Sequence, residues 1–230
     1  MTGSAQSSAL DTATALPETP LAQAAVTLVT SAESASIANH SIRSYLFARL
    51  VARNLGMVAG RDHDERLLFL ACVLHDLGLA PEGAHTQRFE LVGADHAAEF
   101  LTDQGLPAAE VDAVWDAIAL HTSAQIAERR SALCLLVRAG IGLDFGGEGG
   151  PEGIPLDAVT DEQGQAIHAV YPRLSMVSSI VAAIADQAAK DPANRPHLSL
   201  AAEVLRQRGD GNPPRRTSME EAALASRWGS

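Results

Sequence analysis

Residues 67–78 read LLFLACVLHDLG, a dozen positions of nearly unbroken apolar side chains with His75 and Asp76 set side by side near the end. An apolar run of this length, rich in leucine and alanine and free of proline, fits a buried helix. Burying an imidazole beside a carboxylate is costly unless something compensates both. A metal ion is one such partner; a salt-bridged or hydrogen-bonded core pair is the other. The dipeptide alone does not choose between them.

The rest of the chain repeats the helical pattern. Apolar residues at helical spacing predict a first helix over 21–34, then a second that opens at Ser36 or Asn39, carries His40 in its first turn and stops before Gly56. Asp62 and Glu65 are spaced like a capping box for the central helix, which Gly78, Pro81 and Gly83 should end. Further helices are predicted over 89–104, from Pro107 to His121, over 131–144, from Thr160 to Val170, over 175–189 and over 199–207. The GGEGGPEG run at 146–153 forces a loop. Alternating strand patterns and internal repeats are both absent. The expectation is all-α: one domain over 20–208, between flexible tails at 1–19 and 209–230.

Composition narrows the partners. With 47% hydrophobic residues, the 230-residue chain can bury a sizeable core. Its net charge is −11 and Lys190 is its single lysine, so no basic stripe exists to hold a nucleic acid or an anionic membrane. A small molecule is the expected partner. Cys72 and Cys134 sit inside apolar helical runs, far apart, and read as core residues suited to a reducing cytoplasm rather than as a disulfide. The N-terminal residues lack the basic and apolar regions of a signal peptide, and no run reaches the roughly 20 apolar residues needed to span a bilayer.

An all-α domain builds a metal site by projecting side chains from several helices into one interior pocket. His40, the His75–Asp76 pair and Asp144 each place a metal-capable group in or beside an apolar stretch. Two imidazoles and two carboxylates suit a divalent ion with room for water. Taken singly, Asp144 also reads as a solvent-facing helix end, and His40 as a surface residue.

The order His … His-Asp … Asp resembles that of the HD-domain superfamily of metal-dependent hydrolases. Six segments, NHSIRSYLFA, ACVLHDLGLAP, RFELVGADHAAEFL, VWDAIALHTS, RAGIGLDFGG and VYPRLSM, are similar to its cyanamide hydratase-like branch and cover roughly residues 35–195. The resemblance implies a helical bundle with a buried metal site, His40, His75, Asp76 and Asp144 holding one divalent ion, zinc first, with iron or manganese as alternatives. It also implies a homodimer and the hydration of cyanamide to urea by metal-activated water. Asp76 would take a proton, and His121 or Glu90 would deliver one to the nitrile nitrogen.

Two departures keep other chemistries in view. Many HD phosphohydrolases carry a lysine where this chain has Leu79, which weakens a nucleotide or phosphoester reading unless Arg43, Arg49 or Arg88 replaces it. His96 and His121 resemble the further histidines of two-metal HD proteins, so a dinuclear iron oxygenase is a third reading. A plainer expectation puts His96 on a helix surface between Asp95 and Glu99, and His63, His85, His168 and His197 on the outside.

Overall fold

The computed structural model describes residues 14–80, 87–145 and 158–208. His85, Pro81, Gly83, the glycine-rich run at 146–153, residues 1–13 and the expected C-terminal tail lie outside the described residues. Among those described, the chain is helical throughout and forms no strand: α1 Pro20–Ala32, α2 Ala35–Asn54, α3 Glu65–Leu74, α4 Phe89–Asp103, α5 Ala108–Ala119, the single turn α6 Ala127–Arg130, α7 Ala132–Asp144, α8 Asp161–Val170, α9 Met176–Lys190 and α10 Leu200–Arg208. The all-α expectation is met. None of these helices is long and apolar enough to cross a membrane.

Local chemistry sets most of the boundaries. Thr160 and Gln163 form the expected capping box of α8. Helix α2 ends at Asn54 with Gly56 beyond it at φ +69°, a left-handed backbone that glycine adopts without strain. The central helix differs from expectation at both ends. Asp64, not Asp62, caps it, accepting from the backbone N–H groups of Arg66 and Leu67, while Asp62 accepts from Val58 and Arg61. At its far end α3 stops at Leu74, and Leu77–Leu79 form a separate 3-10 turn. His75 and Asp76 therefore sit where the helix ends, not within it. Helix α2 begins earlier than expected, at Ala35, which puts His40 beyond the first turn and in the interior.

Helix α3 is wholly buried from Leu67 to Leu74, and α1, α2, α5 and α7 surround it. Two close approaches fix the geometry around its end. A Cβ on Gly140 of α7 would stand 2.0 Å from the Ser44 carbonyl oxygen of α2. Only glycine lets these helices come so near, and one turn away the same crossing brings Asp144 to His40. A Cβ on Gly78 would lie 1.9 Å from the Phe89 carbonyl oxygen, so the 3-10 turn presses directly on α4. A second apolar cluster joins Leu79 and Phe89 to Ile180, Ile184 and Ala188 of α9 and Ala201 of α10. Residues 14–19, expected to be part of a loose tail, run along the domain: Arg49 donates to the Ala15 carbonyl and Leu16 packs on the core.

Candidate metal centre

His75 lies at the C-terminal end of α3, where helix carbonyls lack intrahelical partners. Its Nδ1–H donates to the Cys72 carbonyl at 2.7 Å, which leaves Nε2 as the free ring nitrogen. His40, on α2, has its Nδ1 2.6 Å from Asp144 Oδ2 and likewise keeps Nε2 free. Asp76 Oδ2 stands 3.3 Å from His75 Nε2 and 3.9 Å from His40 Nε2. The three side chains are buried, and their candidate ligand atoms lie within 4.8 Å of one another.

This donor set fits a divalent ion on its chemistry. Histidines that ligate metals nearly always donate their second ring N–H to a carboxylate or a backbone carbonyl, and His40 and His75 each do so. Burial works against ionisation of Asp76, but His75, His40 and His121 outweigh it and hold the carboxyl well below its usual range. His40 is pushed down by burial, whereas Asp76 pulls His75 above its ordinary value despite burial. A carboxylate and two imidazole nitrogens with fixed tautomers are thus turned toward one point.

Asp144 is placed one step behind this trio. Its fully buried carboxylate receives His40 Nδ1, Arg43 Nε at 2.8 Å and Arg43 Nη2 at 2.7 Å, with His168 Nε2 and Arg173 Nη1 each 3.3 Å away. Despite burial, the His40 and Arg43 hydrogen bonds hold it far below the usual carboxylate range. Here Asp144 orients His40. Arg43 is itself fully buried and also donates to the Tyr171 and Pro172 carbonyls, which ties the α8–α9 connection to the site. His168, expected at the surface, is half-buried against this group, and His63 is buried against Glu65.

His121 follows α5 and repeats the pattern of His75. Its Nδ1–H donates to the Ile118 carbonyl at 2.6 Å, and its ring centroid is 5.1 Å from that of His75. Burial, reinforced by His75, lowers its pKa to about 4, so the ring is neutral near pH 7 with its Nε2 lone pair available. Glu90 is farther back. Its Oε1 accepts from Thr122 Oγ1 at 2.6 Å and from Arg88 at 2.8 Å. Burial raises this carboxyl, but Arg88, His121 and Thr122 leave it below its ordinary value, so it is a carboxylate and not the acid the sequence suggested.

A cavity of about 320 Å³ opens onto His40, His75, Asp76 and His121, with Thr122 and Arg138 at its polar edge. Phe89, Ile141, Phe145, Ile180, Ile184 and Leu200 supply its apolar walls. His96 is exposed and lines a different hollow with Glu99 and Asp103, so it is not brought to the trio. One buried acid was missed by sequence reasoning. Glu33, just past the end of α1, is 8% exposed, and neither of its oxygens accepts a hydrogen bond. Burial and the Asp76 charge raise its pKa well above the ordinary value, with Ser41 acting weakly the other way. Nothing in its local sequence, SAESAS, distinguishes it from a solvent-facing helix end.

The six segments singled out above all reach this site: Asn39, His40 and Arg43 from the first, His75 and Asp76, then Glu90, His121, Asp144, and Tyr171 to Arg173 from the others. Comparison with known families matches residues 37–161 to the HD domain, more than half of the chain. A search of curated proteins finds none that matches.

Proposed function

The chain belongs to the HD-domain family, and from that premise we propose that it is a metal-dependent enzyme adding water to a small nitrile, cyanamide being the first substrate to test. The observation that carries this reading is the pairing of a converging His40, His75 and Asp76 set with a cavity whose lining cation among the described residues, Arg138, is already paired with Glu128. Leu79, where a phosphohydrolase would often place its lysine, packs into the apolar cluster with Phe89 and Ile184. Arg43 is consumed by Asp144 and two carbonyls. Beyond the metal itself, a phosphoester substrate would find no unpaired cation among the described lining residues. The oxygenase reading loses its second histidine, because His96 faces another hollow.

His40 Nε2, His75 Nε2 and Asp76 would hold the ion, with Asp144 fixing the His40 ring. When bound there, a divalent metal supplies Lewis acidity that makes water deprotonation accessible near neutral pH. Asp76, held ionised far below the usual carboxylate range, is a weak base suited to ligation, so the water's proton passes to His121. His121, neutral and with Nε2 free, is a base or relay and not a ready acid. The proton lost by water returns through His121 to the nitrile nitrogen as the C–O bond forms, and tautomerisation of the adduct gives the amide. For cyanamide that amide is urea. Thr122, its hydroxyl hydrogen committed to Glu90, offers lone pairs to the substrate N–H groups.

The test is elemental analysis of purified protein followed by a cyanamide-to-urea assay. One divalent ion per chain and urea formation are expected. Phosphate release from phosphoesters without urea would overturn the reading, and two irons with oxygen uptake would replace it.

A further inference from the structure

Cyanamide has three non-hydrogen atoms, and the cavity is far larger. About 320 Å³ is room for roughly ten waters, and it falls in the range of pockets that hold organic ligands, about 300–1,000 Å³. Its walls are divided in kind. Its lining holds the polar trio and also Ile180, Ile184 and Leu200 from α9 and α10. Both helices lie beyond the 37–161 segment matched to the HD domain. This aliphatic wall thus comes from outside the matched segment, and cyanamide would leave it untouched.

Arg138 completes the division. Its Nε donates to Glu128 Oε1 at 2.7 Å and its Nη1 to the His121 carbonyl at 2.8 Å. Its remaining nitrogen, Nη2, has no partner among the described residues, and Arg138 lines the cavity. Glu128 is 6% exposed at its side chain, so the guanidinium charge is already balanced by a buried carboxylate. A spare N–H on a neutralised ion pair suits an uncharged acceptor. It gives a phosphate or carboxylate little net attraction.

Resting on the hydration reading above, we propose that the physiological substrate is an uncharged aliphatic or aryl nitrile larger than cyanamide, seated against Ile180 and Ile184, its nitrogen or the product amide oxygen held by Arg138 Nη2. Arg138 is then a specificity residue that touches substrate.

The experiment uses the metal-loaded full chain and calorimetric titration with acetamide, propionamide and butyramide as neutral product-like probes. Affinity should rise roughly fourfold per added methylene. Ile184→Ala should flatten that increment. Arg138→Gln should weaken every amide by roughly tenfold to a hundredfold while leaving the increment intact. A flat series, or an Arg138→Gln protein that binds like wild type, overturns the proposal. If Arg138→Gln does not fold, the Ile184→Ala increment still decides. The two readings fail separately. Urea formed from cyanamide with a flat amide series removes only this proposal; the expected series with no nitrile hydrated removes the hydration chemistry and the nitrile with it, leaving the Ile184 and Arg138 contacts as a site for a neutral ligand.

Discussion

Helices α3 and α5 end in the same way and arrive at different chemistry. Each stops one or two residues before a histidine whose Nδ1–H turns back onto the carbonyl three residues earlier, Cys72 for His75 and Ile118 for His121. Both rings are buried, and both keep Nε2 free. The next residue separates them. After His75 comes Asp76, whose charge pulls the imidazole above its ordinary value. After His121 comes Thr122, whose hydroxyl is turned to Glu90, so burial dominates and the ring falls to about 4. A helix end positions the ring; its neighbour decides whether the site has a ligand pair or a lone neutral base.

Removing the two rings in turn should separate their roles. His75→Ala and Asp76→Ala should each abolish metal binding, read by elemental analysis, and with it all turnover. His121→Gln should keep the metal and lose roughly a hundredfold to ten-thousandfold in turnover, the range expected for a general base. If His121→Gln also loses the ion, the two helix ends are equivalent and both bear ligands.

Asp144 tests the same distinction one shell out. If it orients His40 as the geometry has it, Asp144→Asn should weaken metal affinity by about 10–100-fold, measured against a chelator, without abolishing it. The variant also leaves the Arg43 charge without its buried partner. Removing one member of such a pair costs about 3–5 kcal/mol in stability, which denaturant unfolding would show. Complete loss of metal, equal to that of His75→Ala, would instead put Asp144 in direct contact with the ion.

The sequence carried the fold well because nearly every helix announces itself by apolar spacing and a stop signal, as Gly56 and the Thr160–Gln163 box show. The site was legible in its residue types, but its arrangement was not. That His40 is buried depends on α2 starting at Ala35, a boundary set by packing. That Asp144 meets His40 depends on the close approach at Gly140, which only the paired helix reveals. Glu90 looked like an acid because its partners Arg88 and Thr122 act through space; the 32-residue separation from Thr122 hides one of them. Glu33 and the free nitrogen of Arg138 left no trace in spacing, since burial and partner count are properties of the assembled cavity.

The subtlest expected difference between the two helix ends is in pH dependence, measured on metal-stripped protein. His121 has a folded pKa of about 4, below its unfolded value of about 6.5. As pH falls through that interval the unfolded chain takes up a proton that the folded chain refuses, so stability is lost toward acid. His75 runs the other way. Its folded value is raised, so its contribution is complete below about pH 6.5 and is lost as pH rises through the raised value. His121→Gln should therefore flatten the acid side of the stability profile between about pH 6.5 and 4, by roughly 1–3 kcal/mol over the interval. His75→Gln should lower stability in acid and remove the loss on the alkaline side. Glu33 and the lowered His40 are present in wild type and in His121→Gln alike, so neither accounts for a change between those two. A His121→Gln protein whose acid limb stays as steep as that of wild type would mean that folded His121 accepts the proton, which would make the two helix ends alike in charge as well as in backbone.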